Sequence, residues 1–226
     1  MTSHNNFNEI VVSSPGRINL IGEHIDYNGG SVLPGAIEHK LTLKFCKTKS
    51  SLCSISSEGY GSFEFDIKKP IKISSKQWKN YVFGVVDGIN KIHPNRLKGF
   101  NCDIIGDLPI GAGIASSAAL ECGIAKGLNC LFDLKLSDAE LIDISCKAEH
   151  NFVKNKCGIM DQFTVIKGEK NKLLLLNCGT LEYKHLSLDL QNYKIVLLNS
   201  NVNHNLATSE YNIRRSECEQ ALKIIQ

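Results

Sequence analysis

The sequence has no apolar run near the ~20 residues that a membrane-spanning helix needs, which excludes such a helix. It has no strong bias of charge. Its 26 Lys and Arg face 23 Asp and Glu, giving a net charge of +3 with the basic residues scattered, so a nucleic-acid footprint is not indicated. It has nine cysteines but no CxxC pair, and none lies beside a histidine at zinc-finger spacing. The odd count and the apolar neighbours of Cys122, Cys130 and Cys146 predict buried free thiols in a reducing cytosol. Repeats and low-complexity linkers are absent, as is a secretory signal, so a cytoplasmic location is expected. The polar opening Met1–Asn6 is expected to fray. What remains is an ordinary globular balance of 42% hydrophobic and 22% charged residues. The length of 226 residues fits one large domain or two small ones.

Strand and helix patterns alternate along the chain. Glu9 to Ser13 reads as a strand stopped by Pro15-Gly16, and Lys40 to Cys46 as a half-buried strand with Leu41, Leu43 and Phe45 on one face. Leu52 to Ile67 reads as a hairpin turning at Gly59-Tyr60-Gly61. Trp78 to Ile92 has helical spacing and is closed by Pro94. Phe100 to Ile105 is a strand feeding a glycine-rich turn, Gly106 to Gly113, and then a helix from about Ser117 to Phe132. Ser137-Asp138-Ala139-Glu140 fits a capping box. The helix it opens carries Leu141, Ser145, Ala148 and Phe152 on one face and is broken at Cys157-Gly158. A short segment, Ile159 to Ile166, precedes strands at Lys172 to Asn177 and Lys194 to Asn199. A last helix starts near Thr208 or Ser209, with an apolar stripe of Cys218, Ala221, Leu222 and Ile225. The mixture predicts an α+β or α/β class. No later element covers that final stripe, so the chain is expected to stop inside a second domain.

Three segments concentrate chemistry. In Leu108 to Ala119 a strand runs through Gly111 and Gly113 into a helix start bearing Ser116 and Ser117. Glycines permit positive φ and close backbone approach, and a helix N-terminus suits phosphate. A helix cap with tight packing explains the same residues. The loop lacks the P-loop lysine, and Ser116 replaces the third glycine of a dinucleotide fingerprint. In Ser14 to Gly30, Glu23, His24 and Asp26 stand among glycines. Such a loop can pair each hydroxyl of a sugar as water is displaced, whereas a solvated surface loop is the plainer alternative. In Gly158 to Phe163, Asp161 follows a helix break. It either complements a helix dipole or aims a carboxylate at a substrate hydroxyl.

Together these segments resemble the galactokinase branch of the galacto-, homoserine, mevalonate and phosphomevalonate kinase superfamily. Gly16-Arg17-Ile18-Asn19-Leu20-Ile21-Gly22-Glu23-His24-Ile25-Asp26-Tyr27 is like the branch's sugar-binding signature, and Gly111 to Ala118 is like the superfamily's phosphate loop. Lys147-Ala148-Glu149-His150 through Cys157-Gly158-Ile159-Met160-Asp161-Gln162-Phe163 matches a further region. So does Asn199-Ser200-Asn201-Val202 through Ser209-Glu210-Tyr211 and Arg214-Arg215. The resemblance covers nearly the whole chain. It implies an α+β fold: the N-terminal domain of a two-domain kinase at residues 1–180, with the start of the second domain at 181–226. It implies ATP-dependent phosphorylation of galactose at its anomeric hydroxyl, with Mg²⁺. By that likeness Asp161 and Arg17 are the catalytic pair. Glu23, His24, Asp26, Gly158 and Tyr211 hold the sugar. Gly111, Gly113, Ser116 and Ser117 cradle the nucleotide, and Ser117 and Glu149 contact the metal.

Three departures accompany the likeness. Ala115 stands where serine is frequent, Ile25 replaces a frequent threonine, and the family's later glycine-rich motif and most of its second domain are missing. The alternatives are a sensor of galactose and ATP, a kinase for N-acetylgalactosamine, and an inactive fragment. The Ser117-Ala118 pair favours an enzyme over the sensor.

Overall fold

The structure, a computed structural model, describes residues 9–109, 111–200 and 210–225. The expected start of the last helix at Thr208 or Ser209, the opening Met1–Asn6 and the block Asn201 to Ser209 lie outside the described residues.

The class is α+β. Strands β1 (Ile10–Asn19), β3 (Pro34–Lys47), β4 (Leu52–Ser57), β5 (Gly61–Asp66) and β6 (Phe100–Gly106) form a five-stranded sheet in the order β1-β3-β6-β4-β5. Its pairs are antiparallel except β4 with β6. Period-2 alternation sends Leu43 and Phe45 of β3, Ile55 of β4 and Phe100 and Cys102 of β6 to the covered face, where all are fully buried. Three helices bury against them: α1 (Gln77–Ile92), α2 (Ser116–Phe132) and α3 (Asp138–Ala148). The shared core contains Val82, Val85, Val86 and Ile89 of α1 with Ile124 and Leu128 of α2. The capping box at Ser137 forms as read: its hydroxyl accepts from Glu140 N, and the Glu140 carboxylate accepts from Ser137 N. A smaller sheet, β2 (Ser31–Val32), β7 (Lys172–Asn177) and β8 (Tyr183–Ser187), packs with α4 (Met160–Lys167) through Val32, Phe163, Leu174 and Leu176. Helix α5 spans Glu210–Ile225.

Several expectations need correction. The first strand does not stop at Pro15-Gly16. It lies at the edge of the sheet, where proline is tolerated, and absorbs Gly16 as an irregularity in register between Pro15 and Arg17. The helix after Ser137 does not run to Cys157. It loosens into a π-helical turn at Glu149–Val153 and stops at Lys154, which adopts φ +67°. Lys194 to Asn199 is not a strand: no strand pairs with it among the described residues, and Val196 and Leu198 are exposed. Tyr183–Ser187 takes that place, pairing antiparallel with β7. Its residues, Tyr-Lys-His-Leu-Ser, lack a clear apolar alternation. All nine cysteines are free, and Cys122 is buried, but Cys146 is half-buried and Cys130 exposed. Cys130 lies one helical turn after exposed Lys126, on the outward face of α2. No described helix is long and apolar enough to cross a membrane.

The packing of α1 on α3 sets where the chain enters the π-helical turn. At Gly84 a Cβ would approach Ala148 Cα to 2.6 Å. Gly84→Val is therefore expected to cost about 1–3 kcal/mol by overpacking. Urea unfolding checks this, and an unchanged midpoint would show that the two helices separate freely.

Candidate active site

Arg17 is aimed by the irregularity in β1. A Cβ at Gly16 would lie 2.8 Å from Ile114 O, so only glycine lets the strand come this close to the glycine-rich loop. The Arg17 backbone N donates to Ile114 O at 3.0 Å. Its side chain then reaches in two directions. Nε donates to Asp161 Oδ1 at 2.6 Å and Nη2 to Asp161 Oδ2 at 2.8 Å, while Nη1 donates to Gly113 O at 2.6 Å. This is a two-bond fork between guanidinium and carboxylate, the strong geometry for such a pair. The two side chains retain only 14% and 23% exposure. Burial alone would lower the Arg17 pKa, but Asp161, with Glu23 and Asp26, holds it above its ordinary value.

The loop that Arg17 grips has Gly111 at φ +76° and Gly113 at φ +73°. A Cβ at either would meet nothing within 4 Å, so backbone conformation, not space, demands glycine. Ala115 at the N-cap of α2 also has φ +58° and supplies no capping side chain. The first-turn N–H groups of α2 thus receive no side-chain oxygen from their cap, and Ser116 and Ser117 are only half-buried. That is the make-up of an anion site.

The segment after β1 is folded tightly. Asn19 Nδ2 donates to Glu23 Oε1 at 2.7 Å, and a short helical turn at Asp26–Asn28 ends at Gly29, φ +75°. His24 Nδ1 is 2.7 Å from the Tyr27 hydroxyl, and its ring lies 5.3 Å from that of Tyr211 on α5. The Tyr211 hydroxyl accepts from Gly158 N at 3.3 Å. Helix α5 is fastened to the same stretch by Asn212, which accepts from Lys156 N at 2.9 Å, and by Arg215, which donates to Lys156 O at 2.7 Å. A Cβ at Gly158 would collide with the Asp26 carboxylate, so glycine permits this contact. Burial, and then the nearby charge of Asp161, push the Asp26 pKa up.

The structure therefore gathers Arg17, Asp161 and Gly113 at one point, and Asp26, Gly158, His24 and Tyr211 beside them. Ser117 and Glu149 are not hydrogen-bonded to each other. Glu149 sits in a buried polar cluster, accepting from Asn155 Nδ2 at 2.9 Å and Gln162 Nε2 at 2.9 Å. Gln162 also donates to Glu121, which is fully buried on α2. Burial foremost, and then the repulsion between them, raises the Glu121 pKa; burial also raises that of Glu149. No group of three metal-ligating side chains occurs among the described residues. The hydroxyl of Ser117 and the carboxylate of Glu149 are nevertheless oxygen donors of the kind Mg²⁺ takes, one or two from protein and the rest from phosphate and water. A cavity of about 330 Å³ is lined by Asp26, Tyr27, Cys146, Gly158 and Phe163 but not by Arg17 or Asp161. It shares Asp26 and Gly158 with the tight contact described above.

Sequence reading missed Glu121, Gln162, Asn212 and Arg215. A signal for Glu121 existed: it is the one charged residue in the run Ala118 to Ala125 of an otherwise apolar helix. Asn212 and Arg215 lie in or beside the stretch that resembles the family, but their bonds to Lys156 span more than 50 residues and carry no local signal.

Residues 3–45 match the galactokinase galactose-binding signature, and residues 80–169 match the GHMP kinases N terminal domain. The chain is 42% identical over 96% of its length to a galactokinase of Clostridium acetobutylicum, of which it covers 57%. It is 45% identical over 94% of its length to one of Clostridium tetani, covering 54%. The chain thus spans little more than half the length of the curated relatives it matches. It superposes on Lactococcus lactis galactokinase complexed with galactose with a TM-score of 0.90 and 36% identity, over 97% of this chain and 57% of that one. A mevalonate kinase from Methanococcus jannaschii shares the fold alone, with a TM-score of 0.66 at 18% identity.

The raised Asp26 pKa has a consequence for stability. A carboxyl whose folded pKa lies above its unfolded value contributes stability below the ordinary aspartate range, and loses it as pH rises through the folded pKa. Asp26→Asn is expected to remove that decline. Urea midpoints of the ligand-free chain should fall less steeply above the aspartate range in the variant than in the parent. Parallel curves would place no burial penalty on Asp26.

Proposed function

We propose that this chain, a member of the GHMP kinase family in its galactokinase branch, forms the sugar- and phosphate-binding part of an ATP-dependent galactose 1-kinase. Residues 1–180 are the kinase N-terminal domain and 181–226 open the second, in a cytoplasmic protein. The observation that carries the reading is the two-bond fork from Arg17 to Asp161, with a third Arg17 bond to Gly113 of the glycine-rich loop. One guanidinium touches both the carboxylate that faces the sugar and the loop that faces the phosphates.

The chemistry follows from alignment and charge. The galactose C1 oxygen attacks the terminal phosphorus, the bond to ADP breaks, and the hydroxyl proton leaves. Asp161 accepts a hydrogen bond from that hydroxyl, orienting it and drawing its proton. Arg17 holds Asp161 in place and offsets negative charge on the moving phosphoryl group. The same Arg17 contact makes Asp161 a weaker base, so its orienting role gains weight over full proton removal. Backbone N–H groups from Gly111 to Ser117 bind phosphate oxygens. Ser117 and Glu149 would hold Mg²⁺, which when bound neutralises phosphate charge. Glu23, His24, Asp26, Gly158 N and Tyr211 pair the sugar hydroxyls. Galactose is favoured as the substrate by the match of residues 3–45 to the galactose-binding signature.

The test is an ADP-release assay with a panel of hexoses including N-acetylgalactosamine, on this chain and on any longer reading frame that contains it. Galactose-dependent release is expected; release with another hexose alone overturns the substrate. Asp161→Asn should abolish release while galactose still binds in calorimetry, and near-normal turnover would remove Asp161 from the reaction. Asp26→Ala leaves sugar hydroxyls unpaired, a loss of about 1–3 kcal/mol, or roughly 5- to 150-fold in galactose affinity. An unchanged dissociation constant would take Asp26 out of the sugar site.

A further inference from the structure

Gln162 is the neighbour of Asp161, and none of the roles above uses it. Successive side chains on a helix diverge by about 100°. In the first turn of α4, Asp161 turns out to the Arg17 fork while Gln162 turns inward and is fully buried. There its amide meets three different elements. Nε2 donates to Glu121 Oε2 on α2 at 3.1 Å and to Glu149 Oε2 in the π-helical turn at 2.9 Å. Oε1 accepts from Cys146 Sγ on α3 at 3.4 Å. A side-chain amide has two N–H hydrogens; the two buried carboxyl groups are their nearest acceptors, with Cys157 Sγ at 3.7 Å as a weaker third.

Space filling does not account for this residue. A methionine would occupy the same volume, but it would leave Glu121 Oε2 and Glu149 Oε2 without this donor in the interior. Glu121 Oε1 meets no hydrogen-bond donor among the described residues other than the neighbouring Glu149 carboxyl, so the cluster has little reserve. The elements that hold the amide are also the ones that matter to the site. Helix α2 begins with Ser116 and Ser117, and Glu149 is the carboxylate assigned to the metal. A rotation of α4 about its axis would swing Asp161 off the two-bond fork, and the grip on Gln162 opposes that rotation.

We infer that Gln162 is a positioning residue, locking the rotation of α4 so that Asp161 stays aligned with Arg17 and with the phosphate-binding helix. Its kinetic consequence rests on the kinase reading above. Its structural consequence, the geometry of the Arg17–Asp161 pair, does not.

The experiment compares Gln162→Met with Ile144→Ala, a variant emptied in the main core and destabilised without touching the amide. Two readouts are taken: the kcat and KM for galactose, and the NMR resonance of the Arg17 Nε–H that Asp161 accepts. Misplacement by about 1 Å costs on the order of 100-fold in rate. Gln162→Met should therefore lower kcat by about that factor, leave KM within about threefold, and shift the Arg17 Nε–H resonance and speed its exchange with water. Ile144→Ala should lower the melting temperature and change neither readout. A swap, Gln162→Glu with Glu121→Gln, restores an amide-to-carboxyl bond between α4 and α2 and should return at least tenfold of the lost rate. A folded Gln162→Met protein with unaltered kcat and Arg17 resonance overturns the inference, as does an equal loss in Ile144→Ala. If Gln162→Met does not fold, the swap decides by whether its Arg17 resonance is retained. If neither this chain nor a longer reading frame that contains it shows galactose-dependent turnover, the kinase reading fails while the resonance still tests Gln162.

Discussion

The Arg17–Asp161 pair is the interaction on which the rest of the site depends. It joins residues 144 positions apart, from the edge strand of one sheet and from a short helix that packs on the other. Partial burial of both side chains removes most of the water that would screen the attraction. The third bond to Gly113 then brings the glycine-rich loop into the same arrangement. Each local feature around the pair serves this meeting: the register irregularity at Gly16, the positive φ of Gly111 and Gly113, and the end of the π-helical turn at Lys154.

How much of this was legible depended on the range of the interaction. The hairpin at Gly59 to Gly61, the capping box at Ser137 and the strand at Lys172 to Asn177 are set by neighbours a few residues away, and they were read correctly. The mixture of strands and helices followed from them, leaving α+β and α/β both open; α+β came from the family resemblance. Charged residues and glycines crowd into three short stretches, which marked them as candidates, and the family resemblance supplied their proposed roles. What failed was decided at a distance. Pro15 is tolerated because β1 is an edge strand. Lys194 to Asn199 has strand-like residues but no strand beside it among the described residues. Tyr183–Ser187 is a strand because β7 offers a pairing edge. The meeting of Glu121, Glu149 and Gln162 was not legible, although Glu121 alone stood out, because the three come from separate parts of the chain.

That cluster also shows a cost carried by the fold. Two buried carboxyl groups side by side are an expensive arrangement, relieved among the described residues by hydrogen bonds from Gln162 and Asn155 and by Cys157 beside Glu149. Apolar side chains would serve stability better. Asp26 follows the same logic: its carboxyl is pressed against Gly158, and burial, with the nearby charge of Asp161, raises its pKa.

The long separation between Arg17 and its partner has a further consequence during synthesis. At roughly 5–20 residues per second, the arginine waits on the order of 7–30 s on the ribosome before the aspartate is made. Over that interval β1 and β3 can already pair, so a cationic side chain stands on a half-built surface with its anionic mate still untranslated.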